Sequence, residues 1–262
     1  MSAPIAGSYA DLADLALAAP VVIDAKIVSA TRMKDEISTP VQTAFARYLI
    51  ESDVISLIRG AGGSPPRIRY VANVRLDSRG KAPKLKKSRV LILARPVPGK
   101  PADLQLIAPD AQLAWSAETE ATLRAIISEA VSPGSAPRIA RVGHAFHVPG
   151  AIRGESETQI FLITDSGEPV SLSIIRRPGQ GPRWAVALGE IVDESAATPK
   201  PQSLLWYRLA CFLPRELPES AVDNADPVIF DQARADYRVV IDGLGVCTRN
   251  RAAALQPASL PR

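Results

Sequence analysis

Between Arg67 and Leu76 the chain alternates. Ile68, Tyr70, Ala72, Val74 and Leu76 fall on one side, and Arg67, Arg69, Asn73 and Arg75 fall on the other. Val71 is the one apolar residue on the polar side. A period of two is the period of a β-strand, and a helix would scatter these residues around its axis. A strand with one apolar and one charged face belongs in a sheet that is buried on one side and wet on the other. The feature fixes the class of fold, because similar short segments recur along the chain. The 23 prolines favour short elements joined by rigid turns over long helices.

Ser8 and Asp11 fit a capping box opening a short helix, which Pro20 limits. Residues 21–33 read as a first strand, 34–43 as a loop and 45–58 as a second strand, bent near Glu51–Asp53. The run Gly60 to Pro66 is a breaker before the alternating third strand. A fourth strand surrounds Val90–Leu93, and Leu104, Leu106 and Ala108 suggest a fifth. A helix follows from about Ala117, capped by Ser116 and ended by Pro133–Gly134.

Ser132 to Pro137 reads as the boundary between a domain at 1–132 and a second at 138–250. The second opens with a strand at 138–148 and continues as a meander at 158–164, 170–176 and 183–191. Two helices are expected to cover it. One contains Leu204, Leu205, Trp206, Leu209 and Phe212. The other is capped by Asp226, opens on Pro227 and carries Phe230, Ala233, Tyr237, Val240, Ile241 and Leu244 at helical spacing. The expected class is α+β, mainly β: an N-terminal five-stranded OB-like barrel with flanking helices, then an antiparallel meander covered by two C-terminal helices.

The strand order over residues 20–130 resembles OB-like modules of the netrin and metalloproteinase-inhibitor kind, without the N-terminal cysteines on which those modules depend. The stretches Gly80 to Lys87, Gly154 to Phe161 and Leu205 to Pro214 resemble a group of alphaproteobacterial proteins of unassigned function. That resemblance implies no activity, cofactor or partner.

Charge is distributed unevenly. Residues 67 to 100 hold 11 cations and one acid, Asp77, which leaves 20 basic and 26 acidic residues elsewhere. Arg67, Arg69 and Arg75 share a strand face, and Arg79, Lys81, Lys84, Lys86, Lys87 and Arg89 follow on what reads as a hairpin tip. Such a cluster repels itself and concentrates anions. The expected partner is an anionic macromolecule, either nucleic-acid backbone or an acidic protein, held through phosphate or carboxylate contacts and without base readout. Tyr70 is the one aromatic close by, and its parity puts it on the apolar face, so no stacking platform is expected. The bland alternative is a solvated edge whose lysines oppose aggregation.

Catalytic signatures are missing. There is no P-loop and no GxGxxG, and the S-x-x-K spelling at Ser78–Lys81 falls in a connection where a helix start is required. His144 and His147 stand three apart on a strand, on opposite faces, so no metal and no cofactor is expected. The expectation is a non-enzymatic binding or adaptor protein. One alternative is a hydrolase using His147, Glu155 and Glu157 at the domain junction. Another is an exported, inhibitor-like envelope module. Cys211 and Cys247 read as buried reduced thiols of a cytoplasmic protein, or as one disulfide joining the C-terminal helices of a periplasmic one whose signal peptide precedes the numbered chain. No apolar run is long enough to span a bilayer as a helix.

Overall fold

The structure is a computed structural model that describes residues 7–33, 45–189, 197–222 and 227–251. It has two compact units, Met1–Ser128 with Arg249–Arg262, and Glu129–Thr248. The expected loop at 34–43 and the expected cap Asp226 lie outside the described residues.

The first unit begins with α1 (Tyr9–Ala18). Ser8 and Asp11 form the full capping box, each side chain accepting from the other's backbone N–H. Five strands follow: β1 (Val21–Arg32), β2 (Phe45–Arg59), β3 (Arg67–Arg75), β4 (Arg89–Val97) and β5 (Lys100–Leu106). They pair in the order β1-β2-β3-β5-β4, and β4 pairs back onto β1. The result is a closed five-stranded barrel, compatible with an OB-like fold. All pairings are antiparallel except β3–β5, where Arg69 lies opposite Asp103 and Tyr70 opposite Leu104. A short β6 (Gln112–Ala114) adds to β4. The helix α2 (Ala117–Val131) begins at Ser116, whose hydroxyl accepts from the Thr119 N–H.

The alternation of β3 translates directly into burial. Ile68, Tyr70, Ala72 and Val74 line the interior while Arg67, Arg69, Val71, Asn73 and Arg75 are exposed. Val90 to Ala94 of β4 is buried on both faces, which is why it reads as a continuous apolar run. Burial pushes the Tyr70 phenol well above its ordinary range, and its hydroxyl donates to Gln112 Oε1 at 2.8 Å.

The chain's last described residues return to this unit. Arg249 grips Asp14 through Nε and Nη2, at 2.7 and 3.2 Å. The backbone N–H groups of Asn250 and Arg251 donate to Asp11 at 2.9 and 3.3 Å, and Arg251 forms an ion pair with Asp110. Burial raises the Asp11 carboxyl, but hydrogen bonds from Asn250, Ser8 and Arg251 outweigh it and hold the carboxyl below its ordinary value. A depressed carboxylate stabilises the fold above the unfolded value of about 4, and loses that contribution as pH falls through the folded value. Asp11→Asn is therefore expected to flatten the acid limb of the first unit's stability curve. Thermal melts from pH 6 to pH 2.5, followed by Trp115 fluorescence, check this; identical acid limbs would refute it.

The second unit is a four-stranded antiparallel sheet of β7 (Ile139–Pro149), β8 (Ser156–Thr164), β9 (Val170–Arg176) and β10 (Arg183–Leu188), in the order β10-β9-β8-β7. Ile160, Leu162, Val170, Leu172, Ile174 and Val186 point to one face. That face packs against α3 (Leu204–Ala210) and α4 (Pro227–Leu244), which contribute Leu209, Ala233, Tyr237, Val240 and Ile241. Gly243 is required by close approach, because a Cβ there would stand 2.5 Å from the Trp184 indole nitrogen. Cys211 and Cys247 form a disulfide, with Cα atoms 5.1 Å apart. The expectation of two reduced thiols is thereby corrected: the ends of α3 and α4 converge, which cysteines 36 residues apart do not disclose. No helix among the described residues is long and apolar enough to cross a membrane.

Candidate functional site

The basic stretch divides into a paired part and an unpaired part. Arg67 Nε donates to Asp53 at 2.8 Å across the β2–β3 ladder, and Arg69 donates to Asp103 at 2.8 Å across the β3–β5 ladder. Arg89 is the most constrained. Its Nε and Nη2 form a fork on Asp24 at 2.8 and 2.6 Å, and its guanidinium lies 3.6 Å from the centre of the Trp115 ring. The Trp115 indole donates to Glu120 at 2.7 Å. That bond, with a second from Arg124, holds the Glu120 carboxyl below its ordinary value. Asp24 is only 1 % exposed, although its strand parity suggests an outward position. The Arg89 fork explains how a carboxylate is tolerated there. Arg67, Arg69 and Arg89 were expected to bind an outside anion; each is already matched to a carboxylate of this chain.

Eight cations of the stretch remain; two of them, Arg95 and Lys100, lie on β4 and β5, and the other six differ. Arg75, Arg79, Lys81, Lys84, Lys86 and Lys87 are exposed and form no ion pair among the described residues. All but Arg75 lie on the segment between β3 and β4. This segment was expected to be a hairpin tip, yet β5 lies between β3 and β4, so it is a crossover connection. The cause is barrel closure: β4 returns to pair with β1. Asp77 spends its carboxylate on the backbone N–H groups of Arg79 and Lys81, at 2.9 and 2.8 Å. It therefore orders the loop and neutralises no lysine. Farther on, Lys87 has φ +73° and donates its N–H to Ile27 O at 2.8 Å, while the Ile27 N–H donates to Ser88 O at 2.9 Å. The Ser88 hydroxyl donates to Lys84 O at 3.0 Å. The connection is thus fastened against the middle of β1 at Ile27, with its ammonium groups turned to water.

The histidine candidates lie in the second unit. His144 is exposed beside Phe146, with ring centres 6.3 Å apart. His147 points the other way. Its Nδ1 lies 2.7 Å from the Thr158 hydroxyl, which itself donates to Asp236 at 2.5 Å. The hydroxyl proton is committed to Asp236, so Nδ1 is the donor in the first contact. Arg176 Nε donates to the other oxygen of Asp236 at 2.5 Å. Thr158 and Asp236 are fully buried. Glu155 sits in the β7–β8 turn, its carbonyl accepting from Gly150, and Glu157 faces outward and accepts from Gln159. Alternation along β8 sets Glu157 on the face opposite Thr158. The structure therefore couples His147 to Asp236, 3.6 Å away, and does not gather His147, Glu155 and Glu157 into one cluster.

Sequence reasoning missed Thr158, Arg176 and Asp236. A signal existed for one of them: Asp236 falls inside the apolar stripe of α4, between Ala233 and Val240. Among the described residues, no group of three or more His, Cys, Asp or Glu side chains could hold a metal ion. The chain matches no protein-family model and no curated protein, so its function is read from this geometry.

Proposed function

We propose that this protein is a non-enzymatic binding or adaptor protein whose barrel presents the β3–β4 connection to an anionic macromolecule. The observation that carries the reading is the set of six exposed cations, Arg75, Arg79, Lys81, Lys84, Lys86 and Lys87, without a carboxylate partner among the described residues. Edge protection does not account for them, because a crossover connection is not a sheet edge. Binding that releases counterions weakens steeply with salt. Wild-type protein is expected to be retained on heparin at low salt and to elute early once Lys84, Lys86 and Lys87 are changed to Glu. Equal weak retention of both proteins would overturn the reading.

The Cys211–Cys247 disulfide favours a working place in an oxidising compartment, as for an exported envelope module. Thiol titration of protein unfolded without reductant is expected to find no free thiol, against two after reduction.

A further inference from the structure

The β3–β4 connection does more than expose lysines. Between it and the ends of β1 and β2 lies a groove of about 410 Å³. It is lined by Pro83, Lys84 and Lys86 of the connection and by Ser29, Thr31 and Tyr48 of the two strands. Tyr48 lies opposite Arg32 in the β1–β2 ladder, so it sits near the end of the hairpin, where its side chain is half exposed. The Ser29 hydroxyl is used, donating to Glu51 at 3.1 Å. The hydroxyls of Thr31 and Tyr48 are engaged by no described residue. The groove thus combines an aromatic ring, two neutral hydroxyls and two ammonium groups within one short cleft.

We infer that this groove binds one residue of an acidic polysaccharide, a uronate or a sulfated sugar, and so names the partner class for the anion-binding reading on which it rests. A sugar ring has a face of C–H bonds that packs on an aromatic side chain, and hydroxyls at its edge that pair with hydroxyl groups such as those of Thr31 and Tyr48. Its carboxylate or sulfate takes the lysines as counter-charges. Two observations favour sugar over single-stranded nucleic acid. Single-strand binders stack successive bases on several aromatic rings, and this groove offers one ring. The disulfide favours an oxidising compartment over the cytosol and nucleus, where nucleic acids are held. The side chains of Lys84 and Lys86 supply charge, and Tyr48 supplies discrimination between polymers of equal charge.

The test measures binding of the intact protein to polygalacturonate, to heparin and to a 20-nucleotide oligothymidylate at three salt concentrations. Wild type is compared with Tyr48→Ala, Tyr48→Phe and Lys84→Glu/Lys86→Glu, with thermal melts to confirm folding. Loss of the Tyr48 ring is expected to weaken glycan binding about tenfold, the worth of one aromatic contact, and to leave the oligothymidylate within about twofold. Tyr48→Phe keeps the ring and is expected to retain most of the affinity. The lysine variant is expected to weaken all three. Tighter binding of the oligothymidylate than of either glycan, or glycan binding indifferent to Tyr48→Ala, overturns the inference while leaving anion binding intact. Failure of wild type to bind any of the three at low salt overturns both.

Discussion

Replacing Asp236 with alanine is expected to cost the second unit about 3–5 kcal/mol, a large fraction of the roughly 5–15 kcal/mol that stabilises an ordinary domain. The carboxylate is fully buried on α4, between the sheet and the helix, and accepts from both the Thr158 hydroxyl and Arg176. Its removal takes from the buried Thr158 hydroxyl the carboxylate that accepts its proton. It also strips the His147–Thr158 pair of the group that orients it, and separates Arg176 from its counter-charge. Asp236→Asn keeps the shape and one acceptor oxygen, but it loses the charge and turns an NH2 group on one of the two donors, so about half the cost is expected. Arg176 is about one-third exposed and recovers some hydration. Urea unfolding followed through Trp184 and Trp206, both in the second unit, checks the order alanine below asparagine below wild type. A loss under about 1 kcal/mol for Asp236→Ala would show that the cluster is wetter than the geometry describes.

The second large effect belongs to the disulfide. Cys211 and Cys247 enclose a loop with a sequence separation of 36 residues that contains α4 and the 3-10 turn Glu219–Ala221. On the chain-entropy account, closing a loop of that length restricts the unfolded state by about 4 kcal/mol, and measured values run at about 2–4 kcal/mol. Cys211→Ser/Cys247→Ser is therefore expected to lower the urea midpoint of the second unit and to leave that of the barrel unchanged. Reduction of the wild type is expected to reproduce the double variant. A reduced wild type that unfolds at the same urea concentration as the oxidised form would remove the disulfide from the stability of this unit.

Both effects concern contacts that no local pattern displays. The periodicity of Ile68 to Leu76 was sufficient to place a strand and to say which side faces inward. The Ser8–Asp11 spacing was enough for a helix start, since both partners lie within one turn. The stripe on α4 was legible for the same reason, and the one charge inside it, Asp236, marked a buried polar site to anyone asking why it was there. By contrast, Asp24 reads as solvent-facing on parity and is buried because Arg89, 65 residues away, forms a fork on it. Arg69 and Asp103 stand 34 residues apart and meet only across the parallel β3–β5 contact.

Taken alone, the chain specified its main elements, the apolar side of β3 and the surplus of positive charge between residues 67 and 100. Those properties depend on neighbours within a few positions, where the strand and helix periods govern. Tertiary structure decided which cations remain available, that the β3–β4 segment crosses over β5, and that Tyr48 lines one groove with Lys84 and Lys86. Register between distant strands is set when the barrel closes. An alternating pattern states that a side chain faces outward, and only closure determines whether a carboxylate or open water is there to meet it.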